Sequence, residues 1–306
     1  MTLFTLEYPV HAPDNTELFP AGISLSIDPG THSTGILKGY QFKEELETVS
    51  INQYGSFNKD IYDLIEEKQA FQIIFMDNSR KALVADMIRS VSVPLPVLEI
   101  LEHFKSSLFY FYRHTLRVFA LSSVLATHLL RDEEEKKRLG LAALCFDIGM
   151  ISIPNEVLNK KAPLTKSEKK QIDHHTIAGY LLLNDMLGKE KNYPAFAALN
   201  HHERRNGNGY PAGISIADPI SDIITVADIF DALTSLRPFR PNPFENRAAL
   251  DVLIGMADDG EVDFQTVRAL VAENRKEKPA PENCLVSMEK RGTPPEKNNY
   301  GVITGS

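Results

Sequence analysis

Two adjacent imidazoles, His201 and His202, stand immediately before Glu203 and a glycine-punctuated stretch, Asn206-Gly207-Asn208-Gly209-Tyr210-Pro211. Imidazole is the side chain that transition metals recruit most often, and a tandem pair at the start of a tight loop suits neither a plain core nor a solvated face. His114, Asp147, His175 and Asp228 are of the same chemical kind. Asp228 lies among Ile223, Ile224, Val226, Ala227, Ile229 and Phe230, and Asp147 lies between Leu144-Cys145-Phe146 and Ile148. An ionised carboxylate in such surroundings is costly unless a cation or several donors meet it. His114, Asp147, His175, His201, His202 and Asp228 are therefore the candidate metal ligands, although each histidine taken singly also reads as a core or surface residue.

The elements that must position these residues are mostly helical. Residues 101–130 place Phe104, Leu108, Phe111, Thr115, Val118 and Leu125 close to helical spacing, and residues 136–148 form a second helix ending at Gly149. Thr165 and Glu168 form a capping box that opens a third helix running through His174 and His175 towards Met186. Further helices are expected over 195–203 and 220–236, then from Asn242-Pro243 onward, and over 264–274 behind Asp263. A bundle that turns these faces inward gathers the candidate ligands around one cavity.

The first 90 residues are mixed in character. Residues 18–27 alternate as a strand, Asp28-Pro29-Gly30 is a turn, and residues 36–42 return as a second strand. Residues 58–67 read as a short amphipathic helix and the apolar run 70–76 as a buried strand; Asp77, His11 and His32 read as surface or turn residues. The expected architecture is mainly α: a small α+β domain over 1–90, a linker over 91–97 containing Pro94 and Pro96, a helical bundle over 98–275, and a mobile polar tail over 276–306.

Composition narrows the class. A chain of 306 residues with 43% hydrophobic and 24% charged residues is ordinary for a globular protein, and no run approaches the roughly 18 apolar residues of a membrane span. The beginning of the chain lacks a basic segment followed by an apolar one, and Cys145 and Cys284 suit reduced thiols, so a cytoplasmic location without membrane attachment is expected. The net charge of -8 argues against a broad surface for duplex nucleic acid, while leaving room for a basic pocket around a small anion.

From about Tyr112 to Leu270 the chain resembles the HD-GYP domains, a subgroup of the HD metal-dependent phosphohydrolases similar to enzymes that open cyclic di-GMP. The resemblance rests on Arg113-His114-Thr115-Leu116-Arg117-Val118, Asp147-Ile148-Gly149 and Ile153-Pro154-Asn155-Glu156-Val157-Leu158. It continues through Leu164-Thr165, His175, His201-His202-Glu203 and Gly207-Asn208-Gly209-Tyr210-Pro211. Its last blocks are Val226-Ala227-Asp228-Ile229-Phe230-Asp231-Ala232-Leu233-Thr234-Ser235 and Arg237-Pro238-Phe239-Arg240. It implies an HD-type bundle in which Asp147 bridges two divalent ions of iron, manganese or zinc. His175, His201 and His202 would serve one ion, with His114 and Asp228 on the other. Arg237 and Arg240 would lie near ligand phosphates, and Tyr210 would shape the lip of the pocket and stack on a guanine. Without that resemblance Tyr210 reads as a plug in a tight connection, and Glu203 as either a partner for an imidazole or an exposed helix end.

The departures from the family fall on its chemistry. Phe146-Asp147 stands where the family has His-Asp, Met150 replaces a lysine, and Tyr110 occupies the place of a glutamate found in members with a third metal. The resemblance therefore implies a protein of cyclic di-GMP signalling that binds the nucleotide or a signalling partner with reduced or lost hydrolysis. The alternative is an active phosphodiesterase in which Asp147 is catalytic and a metal-activated hydroxide attacks phosphorus. A homodimer through the amino-terminal domain or the helix around His114 is a further expectation from signalling architecture.

Overall fold

The computed structural model describes residues 2–12, 14, 16–31, 47–53, 56–187, 192–236, 242–296 and 303–304. Short strands open the chain: β1 (Thr2–Thr5), β2 (Val10–His11), β3 (Glu17–Phe19), β4 (Ser24–Ile27) and β5 (Thr48–Ser50). β1 pairs with β4 and β2 with β3, both antiparallel. Three helices follow, α1 (Phe57–Glu67), α2 (Gln69–Phe75) and α3 (Asn78–Ser90), and then β6 (Ser92–Pro94), which returns antiparallel to β5. The remaining elements are α4 (Leu95–Ser107), α5 (Phe109–Leu129), α6 (Glu133–Cys145), α7 (Asn155–Leu158), β7 (Leu164–Thr165), α8 (Lys166–Asp173), α9 (His175–Leu187), α10 (Tyr193–Asn200), α11 (Pro219–Thr234), α12 (Asn246–Asp258) and α13 (Phe264–Glu273). β7 pairs in parallel with a last strand, β8 (Ile303–Thr304).

The fold is mainly α, with a small α+β part at its start. Side-chain caps set many of the helix starts. Asp132, Asn192, Asp218 and Asp263 each accept from a backbone N–H in the first turn of the helix they precede, and Thr165 and Glu168 make the reciprocal box read from the sequence. α5 is the central helix: it packs on α6 and α11, with α1, α3, α4 and α13 also against it. Its residues from Thr115 to Ala126 are buried without interruption, so no face of that stretch meets solvent. No helix among the described residues is long and apolar enough to cross a membrane.

Several boundaries differ from the sequence reading. The apolar run 70–76 is helix α2, not a strand. Ala70, Phe71, Ile74 and Phe75 fall on one buried helical face, a distinction that a compact apolar run does not carry in its periodicity. The single helix expected over 101–130 is broken at Leu108, whose φ of -129 and ψ of 51 leave the helical region. The helix expected from Asn242 starts at Asn246 behind Glu245, and the expected strand over 36–42 lies outside the described residues. The 91–97 segment, expected as a linker, holds β6 and the first turn of α4 with Val91, Val93 and Val97 buried, and its apolar side chains belong to the same core as those of the bundle.

Residues 276–296, expected as part of a mobile tail, lie against the bundle instead. Cys284 is buried, and the Asp251 carboxylate on α12 accepts from the N–H groups of Arg291 and Gly292 at 2.7 and 2.6 Å. Backbone N–H groups supply the anchor that a polar composition conceals.

Glu273, at the end of α13, ties three elements together. Its carboxylate accepts from Arg80 on α3 at 2.8 and 2.9 Å and lies 2.7 Å from His128 Nε2 on α5. Burial alone would raise its pKa, but His128 and Arg80 outweigh burial and hold it at about 2 against a usual 4.5. A depressed carboxyl pKa stabilises above the unfolded value and loses that contribution as pH falls towards the folded one. Glu273→Gln is expected to cost roughly 1.5–3 kcal/mol at neutral pH. In chemical denaturation the gap between wild type and variant should narrow below pH 4.5 and close towards pH 2.

Candidate metal centre

The candidate ligands come from separate elements and meet inside the bundle. His114 sits on α5, Asp147 in the turn after α6, His175 at the first position of α9, His201 and His202 just beyond α10, and Asp228 on α11. The turn carrying Asp147 reaches α9 because residue 149 has no side chain. A Cβ on Gly149 would lie 2.0 Å from the His175 carbonyl oxygen and 2.5 Å from the Gly179 nitrogen. That approach sets Asp147 Oδ1 at 3.4 Å from His175 Nε2 and 4.0 Å from His201 Nε2, with Oδ2 at 4.0 Å from His114 Nε2. Asp147 thus faces both sides of the centre.

On one side, His175, His201 and His202 have ligand atoms all within 4.8 Å of one another. Helix carbonyls fix two of the rings: His175 Nδ1–H donates to Ile172 at 2.6 Å, and His201 Nδ1–H is shared between Ala197 and Ala198 at 3.1 and 3.0 Å. With Nδ1 protonated, each Nε2 carries a lone pair, and these two atoms face each other at 3.2 Å. A cation placed between them relieves that opposition. Burial pushes the pKa of His175 and His201 down to about 4, and burial together with the neighbouring imidazoles holds His202 well below its usual value. Neutral imidazoles clustered beside a carboxylate are the donor set that divalent transition metals accept, so these residues fit such an ion.

The other side is built differently. His114 Nε2 lies 3.0 Å from Asp228 Oδ1, and its Nδ1 lies 2.7 Å from Asp231 Oδ2. Burial disfavours the imidazolium, but the two carboxylates outweigh it and raise the His114 pKa to about 9. Lys68 forms an ion pair with Asp231, and Ser235 donates to the same carboxylate at 3.1 Å. Burial works against the Asp231 charge, yet Lys68, His114 and Arg117 hold its pKa far below the usual range. The Phe146 ring lies edge-on to His114 at 5.6 Å and to His201 at 5.1 Å between ring centroids. Tyr110 stacks on His114 at 5.8 Å, and Met150 is buried.

Glu203 has a role that neither sequence alternative described. Its carboxylate accepts from the N–H groups of Ala212, Gly213 and Ile214 at 2.6, 3.1 and 3.0 Å, folding the loop back over the end of α10. Tyr210 is thereby stacked on His202, with ring centroids 4.6 Å apart, and the Lys169 ammonium lies 4.7 Å from its ring. Gly209 is required there, since a Cβ would sit 2.4 Å from both Glu203 Cα and the His202 carbonyl oxygen. Arg237 and Arg240 lie outside the described residues.

Two contributors escaped the sequence reading. Asp231 is one helical turn beyond Asp228 on the same buried helix, a spacing that could have revealed it. Lys68 lies in the charged stretch Glu66-Glu67-Lys68 and gives no such signal.

The helical bundle converges histidines and aspartates on one buried centre, a donor set that could hold a metal ion. The chain belongs to the HD domain family, which matches residues 100–265. It is 39% identical over 126 residues to the cyclic di-GMP phosphodiesterase response regulator RpfG of Xanthomonas campestris pv. campestris, a match covering 40% of this chain and 33% of the relative. It is 39% identical over 137 residues to a cyclic di-GMP phosphodiesterase of Thermotoga maritima, covering 44% and 37%. A 3'3'-cGAMP-specific phosphodiesterase 1 of Vibrio cholerae serotype O1 is 33% identical over 167 residues, covering 54% and 38%. The matched stretch thus spans less than two-fifths of each of these relatives. They agree with the HD-GYP resemblance carried by the motifs.

Gly149→Ala tests the close approach on which Asp147 depends. It is expected to cost at least about 1–3 kcal/mol in chemical denaturation, because the new methyl meets backbone that has no room to yield. Full stability in that variant would contradict the packing described.

Proposed function

We propose that this chain is a cyclic-dinucleotide-binding member of its family that holds a single divalent transition metal through Asp147, His175, His201 and His202. Its phosphodiesterase activity is reduced or lost. The observation that carries this reading is Phe146, whose ring occupies the position between His114 and His201. A phenyl ring offers no lone pair, so the His114 side keeps only His114, Asp147 and Asp228 as protein donors. Loss of even outer partners of a ligand commonly costs about tenfold to a hundredfold in metal affinity, and a two-metal displacement needs both ions.

A bound divalent ion supplies Lewis-acid polarisation of a phosphoryl oxygen. The residues of the chain do the rest of the recognition. Asp147, between the two sides, orients toward the ion and the His114 side together. Arg237 and Arg240 are proposed to meet the phosphates, a role that bidentate guanidinium contacts perform well. Tyr210 is proposed to line the lip of the pocket from its seat on His202. Cyclic di-GMP is the ligand favoured by two of the three relatives described, with 3'3'-cGAMP the substrate named for the third.

Metal analysis and calorimetry on the purified chain test the proposal. About one ion per chain is expected, together with cyclic di-GMP binding that weakens in Arg237→Ala. Turnover should rise at least tenfold or so in the Phe146→His/Met150→Lys double variant, along with a second ion. Two ions in the wild type with turnover that disappears in Asp147→Ala would replace this reading with the active phosphodiesterase. Absence of any bound metal in the wild type would remove the metal from it.

A further inference from the structure

Lys68 lies outside residues 100–265 that match the family, yet its ammonium ends inside the centre. It is at once the last cap of α1 and the first cap of α2, with an extended backbone of φ -85 and ψ 114. From that junction its ammonium lies 4.6 Å from the centroid of the Phe71 ring, pairs with Asp231 Oδ1 and donates to Ser235 Oγ at 2.8 Å. The Lys68 side chain is 6% exposed and that of Asp231 0%. Ser235 donates to the other Asp231 oxygen, which also lies 2.7 Å from His114 Nδ1, and Arg117 Nη1 lies 3.4 Å from Ser235 Oγ.

A buried ion pair is an expensive way to fill space, since apolar residues of similar volume often stabilise as well or better. Its geometry here is directional. The carboxylate is gripped from opposite oxygens, by Lys68 on one and by Ser235 on the other, which fixes its plane. That plane in turn fixes the rotation of the His114 ring and the nitrogen that points at Asp228 and Asp147. Outer partners that orient a ligating imidazole matter nearly as much as the ligand itself.

We infer that Lys68 is a positioning residue for His114, acting through Asp231, so that the junction of α1 and α2 sets the geometry of the His114 side of the centre. The importance of His114 rests on the proposed function, but the positioning itself is a property of the metal-free chain and is read there.

The full chain, metal-free and labelled with 15N-histidine, reports the His114 Nδ1–H directly by NMR, with the signal assigned by its loss in His114→Gln. A hydrogen-bonded, slowly exchanging proton is expected in the wild type. Lys68→Met should move or broaden that signal and raise its exchange about tenfold or more, while Lys68→Arg restores it. A folded Lys68→Met protein with an unchanged His114 signal would overturn the inference. Should Lys68→Met fail to fold, native-state hydrogen exchange of the wild type decides the matter. Opening of α1 and α2 at low denaturant should release the His114 proton in the same step. Amides of Phe57–Glu67 and Gln69–Phe75 that open while the His114 proton stays protected would equally overturn it. Neither measurement involves metal or nucleotide, so a chain that binds no ion would defeat the proposed function and leave this result standing.

Discussion

The centre depends on the approach of the Gly149 backbone to the first turn of α9. No other residue type fits between that turn and the His175 carbonyl, and the contact carries Asp147 to the one place from which it faces His175, His201 and His114. The histidines are fixed independently by helix carbonyls and a carboxylate, so the imidazoles hold their places while Asp147 is delivered by a packing contact. Chemistry and close packing are coupled at a single backbone position.

The two sides of the centre differ in kind. His175 and His201, their Nδ1 atoms tied to helix carbonyls, present facing lone pairs, and burial keeps them and the neighbouring His202 neutral. The His114 side is instead a run of alternating charges, Lys68, Asp231, His114 and Asp228, closed over by Phe146 and Tyr110. Lone pairs facing one another call for a cation; a chain of alternating charges already satisfies itself. The Phe146 ring, edge-on to both His114 and His201, thus stands beside a side whose facing lone pairs suit a cation and a side that is electrically complete without one.

Much of the centre was legible from residue chemistry. Asp147 and Asp228 stood out because carboxylates in apolar runs need partners, and the structure places both among histidines. The tandem histidines and the capping box of α8 could likewise be read locally. What could not be read depended on long-range packing. The helix α2 was hidden in an apolar run that fits either periodicity, and the ion pair of Lys68 with Asp231 joins residues that no local pattern relates. The docking of residues 276–296 rests on backbone N–H groups, which every residue but proline possesses, so side-chain composition says little about it.

The three successive N–H groups of residues 212–214 form a concavity of the kind that elsewhere receives anions from solution. Here the chain fills it with its own Glu203, and burial nudges that group above its usual pKa despite the three donors. The donors of residues 212–214 are therefore saturated from within. Held by its own carboxylate, this loop serves as a lintel over His202.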